Sequence, residues 1–439
     1  IPEDLDRERR MISAAADRVI SGLGDLSAFA APPGADGQRA VGGLVPVDTT
    51  DPRAELLAEL RRLRQRQEEI RTRIRIASPR LAALTAPEPL DLEGTRAALD
   101  PGTVLLAYTI GENGCRLFVV ERGRRGVDVF TLSIDSSELQ SSVEALRELI
   151  QSPTGAIEEL NRLARQLGET LLAPAVPAIS RARRLVIVPD GPLHLAPFAA
   201  LRVEADGSDR YLVELKPLSV VVSATVLAEL KKTRRTDRNQ RVVVFADPSY
   251  PVKGGSGTVL AEASQQSGVS LRPLPASRRE AATLHRLYGT HTQTWLGKEA
   301  TEERAKRVDR GTTILHLAAH SLVSESLPLE SAIALTARPN ATAESSENGL
   351  LQAWEVLEQM RLDADLVTLS GCSTALGKEA TGEGIIGLTR AFQYAGARTV
   401  LASLWSVADD STAELMDRLY RRLRSGAATN DALRGAQLD

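Results

Sequence analysis

Two residues of this 439-residue chain have the types and settings to do nucleophilic chemistry together. His320 ends the apolar run ILHLAAH (314–320), and Cys372 directly follows DLVTLSG (365–371). In open α/β sheets functional groups gather just beyond the carboxyl ends of the strands, where loops are free to vary on a rigid support. Two neighbouring parallel strands would therefore deliver an imidazole and a thiol to one rim. A thiol at its ordinary pKa of about 8.5 is mostly protonated at neutral pH, so a nearby imidazole must take the proton. The small residues Ser370, Gly371 and Ser373 around Cys372 leave room for a substrate carbonyl, and the Cys372 N–H is a candidate oxyanion donor.

Other side chains compete for roles. Cys115 precedes RLFVV and reads as a small buried hydrophobe. His316 and His320 have the spacing of a helical metal pair, but the segment reads as a strand and lacks the glutamate of HExxH, so His316 is expected to be buried and hydrogen-bonded. His194 supports a turn, and His285 and His291 flank one. Gly254-Gly255-Ser256-Gly257 lacks the GxxxxGK[ST] pattern, so no nucleotide site is expected. Asp190 sits in a Pro-Asp-Gly turn, which accounts for it structurally, and it is also a second candidate for a substrate-binding carboxylate. Trp405, Asp409 and Asp410 follow a later strand. They either line the cleft or, for the aspartates, begin a helix whose positive end suits acidic residues.

The elements that must position these groups are legible as strand and helix alternation. In the second half the runs RVVVFADPSY (241–250), TQTWLG (292–297), ILHLAAH, DLVTLSGC and TVLASLW (399–405) are separated by helical segments near 277–288, 300–309, 350–360, 384–395 and 411–424. Nearly all-apolar strands between helices imply a parallel sheet covered on both faces. In the first half TVLLAYTI, RLFVVERG and VDVFTL predict a meander, followed by a helical region over 136–171 and the strand LVIV (185–188). Residues 3–28 and 52–83 read as helices joined by a Gly/Pro-rich linker near 31–50. The expected organisation is N-terminal helices and linker over 1–95, a first α/β domain over 96–235, and a second α/β domain over 236–439.

Composition narrows the function classes. Lys plus Arg (54) nearly balances Asp plus Glu (57), and the net charge of −3 gives no reason to expect nucleic acid as a partner. Two distant cysteines cannot form a disulfide scaffold, so a reducing cytoplasm is expected. No run approaches the roughly 18 apolar residues of a membrane span, and no signal segment opens the chain. The start at Ile1-Pro2 and the stop at Asp439 within a helical pattern predict a piece of a longer protein.

The segments PDGPLHLAPFAAL (189–201), LHLAAHS (315–321), LSGCSTALG (369–377) and GEGIIGLTRAFQYAGARTVLASLWSVAD (382–409) occur in the order found in the CHAT family of caspase-like cysteine peptidases, which this chain resembles from about residue 96 onward. The resemblance implies a caspase-like fold, with 96–235 as a possible pseudo-protease unit, and a bacterial endopeptidase with a Cys372–His320 dyad. It implies a protein substrate, an upstream tetratricopeptide-repeat or other sensor domain as partner, and no metal or cofactor. The residue after the histidine is commonly glycine in the family and is Ser321 here, whose N–H can still join that of Cys372 as an oxyanion donor. Ser370 and Gly371 are expected beside the substrate. Asp247, at the end of the first strand of the second domain, is expected to pair with a basic residue before the cut. The loops 338–349 and 373–383 flank the site and are expected to become ordered on activation. The alternative from another class is a catalytically silent scaffold of the same fold that binds a partner peptide.

Overall fold

The computed structural model describes residues 89–439 except 112–113, 153–155, 206, 233–239, 251–259, 261–262, 264–270, 325–327, 339–346, 372–382 and 406, together with scattered positions between 8 and 73. The chain divides into two compact units, 1–88 and 89–439. In the first, the described positions are helical, including Glu8, Met11 and Ile12 and parts of 56–73, and the expected linker over 31–50 lies outside the described residues.

The second unit is built on two five-stranded sheets. After helix α1 (Leu92–Ala98), strands β1 (Thr103–Gly111), β2 (Gly114–Glu121) and β3 (Asp128–Leu132) form the expected antiparallel meander. Helices α2 (Ser136–Gln151), α3 (Ile157–Leu171) and α4 (Val176–Arg181) lead to β4 (Arg184–Val188), which pairs parallel with β1. The hairpin β5 (Arg202–Ala205) and β6 (Ser208–Tyr211) and helix α5 (Leu212–Leu215) precede β7 (Leu218–Val220), giving the order β3-β2-β1-β4-β7; α6 (Ala224–Lys232) follows. The hairpin and β7 are too short to show an alternation in the sequence.

The second sheet is entirely parallel, in the order β15-β14-β10-β8-β9. Its strands are β8 (Val242–Pro248), β9 (Thr292–Gly297), β10 (Ile314–Ala318), β14 (Leu366–Ser370) and β15 (Thr399–Ala402). Val243, Phe245, Leu315, Leu317, Val367 and Leu369 face one layer, with α8 (Glu302–Lys306), α9 (Ala353–Gln359) and α10 (Glu383–Ala395). Val242, Val244, Ala246, Ile314, Ala318 and Leu366 face the other, formed by α7 (Ser277–Tyr288), α11 (Asp409–Arg424) and α12 (Thr429–Leu438). Burial on both faces is why these strands read as unbroken apolar runs rather than alternating ones.

The chain goes from β8 outward to β9 and then returns across β8 to β10, so the strand order reverses between β8 and β10. Crevices open beyond the carboxyl ends of strands at such reversals. A small antiparallel sheet of β11 (Ser321–Leu322), β12 (Ala332–Ala334) and β13 (Leu350–Gln352) lies just past β10, where the sequence shows no strand and predicts a helix from about 350. Among the described residues, no helix is long and apolar enough to cross a membrane.

Candidate functional site

The rim at the β8–β10 reversal is shaped by an unusual residue. Asp247 has φ of 46°, the left-handed region that non-glycine residues rarely enter, and the β8–β9 register shifts at this point. Its hydrogen bonds hold it there. The Asp247 N–H donates to Ser277 Oγ (2.8 Å), Oδ1 accepts from the Leu274 N–H (3.2 Å), and Oδ2 accepts from Arg278 Nε (2.5 Å). A substrate arginine would have to displace Arg278. The segment 271–277 thus fastened is also gripped by Asp409, whose Oδ2 accepts from the Ala276 N–H (2.7 Å), and by Ser277 Oγ, which donates to the Leu274 carbonyl (2.6 Å).

That segment orients the histidine. His320 Nε2 lies 2.8 Å from the Arg272 carbonyl oxygen, an atom that only accepts, so the proton is on Nε2. Nδ1 then carries the lone pair, and it is buried with no hydrogen-bond partner among the described residues. The ring packs against Tyr250 (centroids 5.4 Å apart), whose hydroxyl accepts from the His320 N–H (3.3 Å) and donates to the Ala334 carbonyl (2.9 Å). Burial pulls the imidazole below its ordinary pKa, against the opposing pull of the Arg272 carbonyl and the negative charge of Asp409. Burial also pushes the Asp409 carboxyl and the Tyr250 hydroxyl up.

The second strand tip lies alongside. Ala318 pairs with Ser370, and the Ala319 N–H donates to the Ser370 carbonyl (3.0 Å), so His320 and Cys372 each come two residues after a paired position. Cys372 itself lies outside the described residues. Gly371 has φ of +103°, and a Cβ there would come 3.1 Å from the Ala319 carbonyl oxygen, so the turn into Cys372 requires glycine.

The remaining predicted residues are distributed as follows. The His320 carbonyl accepts from the Ala334 N–H (2.8 Å), which makes Ser321–Ile333 a non-hydrogen-bonded pair and turns the Ser321 N–H away from β12. Ser370 is 2% exposed, and its Oγ donates to Glu280 Oε2 (2.7 Å), so its side chain serves the interior rather than a cleft. Trp405 is half-buried beyond β15. Asp190 sits at the other sheet, where its Oδ2 accepts from the Ile110 N–H (2.7 Å) and ties the exit of β4 to β1. Cys115 is buried, with its thiol pushed up chiefly by burial and also by Asp135 and Asp190. His316 is fully buried with Nδ1 2.9 Å from Tyr420 Oη.

Sequence reasoning missed Glu280, Tyr250 and the Arg272 carbonyl. Glu280 could have been found: in SRREAATLHRLY it shares the helical spacing of the buried Ser277, Ala281, Leu284 and Tyr288. A carboxylate on that stripe must have a partner.

The CHAT domain family model matches residues 161–439, more than half of the chain, and the chain belongs to this family. Tetratricopeptide repeat protein 28 of Homo sapiens is 27% identical over 289 residues, covering 58% of this chain and 11% of that protein. The Mus musculus protein of the same name is 28% identical over 293 residues, with the same coverage of 58% and 11%. The chain therefore spans about a tenth of the length of these curated relatives. A chain of the Saccharomyces cerevisiae separase–securin complex aligns over 88% of this chain and 33% of its own length, at 11% identity and a TM-score of 0.42.

Proposed function

We propose that this CHAT domain is a cysteine endopeptidase in which Cys372 is the nucleophile and His320 the general base. The observation that carries the reading is the state of the His320 ring: the bond from Nε2 to the Arg272 carbonyl fixes the tautomer and leaves a basic Nδ1 with no partner among the described residues. Burial keeps that imidazole neutral near pH 7, the form a base needs.

In this mechanism Nδ1 takes the Cys372 proton as sulfur attacks the scissile carbonyl. The N–H groups of Cys372 and Ser321 receive the oxyanion. The tetrahedral adduct collapses to a thioester as His320 returns the proton to the leaving amine, and water then releases the acid by the reverse proton path. Asp247 and Asp409 act by holding the 271–277 segment. We also propose that the Asp247 carboxylate exchanges Arg278 for a basic substrate residue before the cut. A protein substrate, an upstream repeat domain as sensor and a reducing cytoplasm complete the reading; the repeat-protein names of the relatives support the sensor.

The test is cleavage of a peptide library by the parent and by Cys372→Ala. The parent should cut and the variant should not. A variant that cuts as fast as the parent removes the assignment.

A further inference from the structure

Beneath the rim lies a buried polar chain that the proposed mechanism does not use. Glu280 on α7 is 2% exposed, and its Oε2 accepts from Ser370 Oγ (2.7 Å) and lies 3.0 Å from His316 Nε2. His316 Nδ1 is 2.9 Å from Tyr420 Oη, which is 2.8 Å from Thr368 Oγ1. His316, Thr368, Ser370 and Tyr420 are each 0–2% exposed. One carboxylate therefore accepts a hydrogen bond from β14, the strand that leads to Cys372, and lies at ion-pair distance, without hydrogen-bond geometry, from His316 on β10, the strand that ends two residues before His320.

We propose that Glu280 is a positioning residue for the Cys372–His320 pair, a role that rests on the endopeptidase reading. A carboxylate buried under a sheet is penalised heavily unless paired, and apolar side chains of similar volume would stabilise the fold as well or better. What the acid adds is registry. It fixes Ser370, two residues before Cys372, relative to His316, four residues before His320, on the face of the sheet opposite the one that packs α10. The groups that face it are His316 from β10, Ser370 from β14, Tyr420 from α11, which in turn meets Thr368, and Asp409 at the start of α11, whose carboxyl is raised mainly by burial and also by the charge of Glu280. Releasing Ser370 frees the tip of β14, and a displacement of about 1 Å between reacting groups costs on the order of 100-fold in rate.

The experiment follows alkylation of Cys372 by iodoacetamide between pH 5 and 9, read by peptide mass spectrometry, in the parent, Glu280→Gln, Ser370→Ala and His320→Ala. Glu280→Gln keeps the shape and removes the charge. Ser370→Ala cuts the link to β14 and leaves His316 untouched. Both variants should keep the parent circular-dichroism spectrum, slow alkylation by about 10-fold or more, and move its pH inflection toward that of an ordinary thiol. If both label at the parent's rate with the parent's profile, and only their thermal midpoints fall, Glu280 is merely structural and the inference is wrong. If the parent and His320→Ala label alike, the dyad itself fails, and the inference with it.

Discussion

The chain places two histidines four residues apart, one in the interior of the second sheet and one at its rim, and their surroundings differ in one decisive respect. Both ring nitrogens of His316 face polar side chains: Nδ1 lies 2.9 Å from Tyr420 Oη, and Nε2 lies 3.0 Å from the Glu280 carboxylate although without hydrogen-bond geometry. At His320 the hydrogen bonding stops halfway, with Nε2 committed to a main-chain carbonyl and Nδ1 buried without a partner among the described residues. A buried polar atom left unpartnered costs about 1–3 kcal/mol, so folds retain one where something else is gained. On the proposed reading the same side chain is a structural group within the strand and a reactive group two positions past its end.

The sharpest way to break this contrast is His320→Ala. It should lower peptide cleavage by about 100- to 10,000-fold, the usual share of a general base, with a smaller fall in thermal midpoint than a change at His316 gives. His316→Leu should weigh most heavily on stability. Stripping the partner from a buried carboxylate costs on the order of 3–5 kcal/mol, to be seen as a large drop in thermal midpoint; equal losses of stability in the two variants would erase the distinction.

Acidification should sharpen it further. The folded His320 resists protonation because of burial, so its neutral form persists below the ordinary imidazole value of about 6.5 and cleavage should fall only in more acid solution. For stability the sign is that of a depressed pKa: the contribution is present in full above the unfolded value and is lost as pH falls through the folded one, because the unfolded chain binds the proton first. A His320→Ala protein should lack this acid loss, which pH-dependent thermal melts can check. The smallest effect belongs to Arg278→Ala. This pair is half-exposed on the arginine side, so stability should change by less than about 1 kcal/mol. The vacated Asp247 should nonetheless raise cleavage after arginine severalfold in a library profile; an unchanged profile would leave Asp247 with only the 271–277 segment to hold.

Much of the second sheet is legible in the sequence because strands buried on both faces leave unbroken apolar runs. The order of those strands is not, since nothing local tells β9 to take the edge beyond β8. The β11–β13 sheet escapes for a different reason: strands of two or three residues show no period. His320 could be picked out by its place at a strand end, whereas its orienting partner is a main-chain carbonyl, which has no residue signature. Asp247 reads as a free carboxylate until folding brings Arg278 to it from 31 positions away. Glu280 is masked by the neighbouring Arg278 and Arg279, although its spacing with Ala281 and Leu284 marks the buried stripe.

If the imidazole beyond β10 activates the thiol beyond β14, as proposed, an electrophilic peptide probe will report it. Intact-mass and peptide mapping should find the parent modified at Cys372 and His320→Ala essentially unmodified over the same time. Equal labelling of the two proteins, or no labelling of the parent, would contradict this reading.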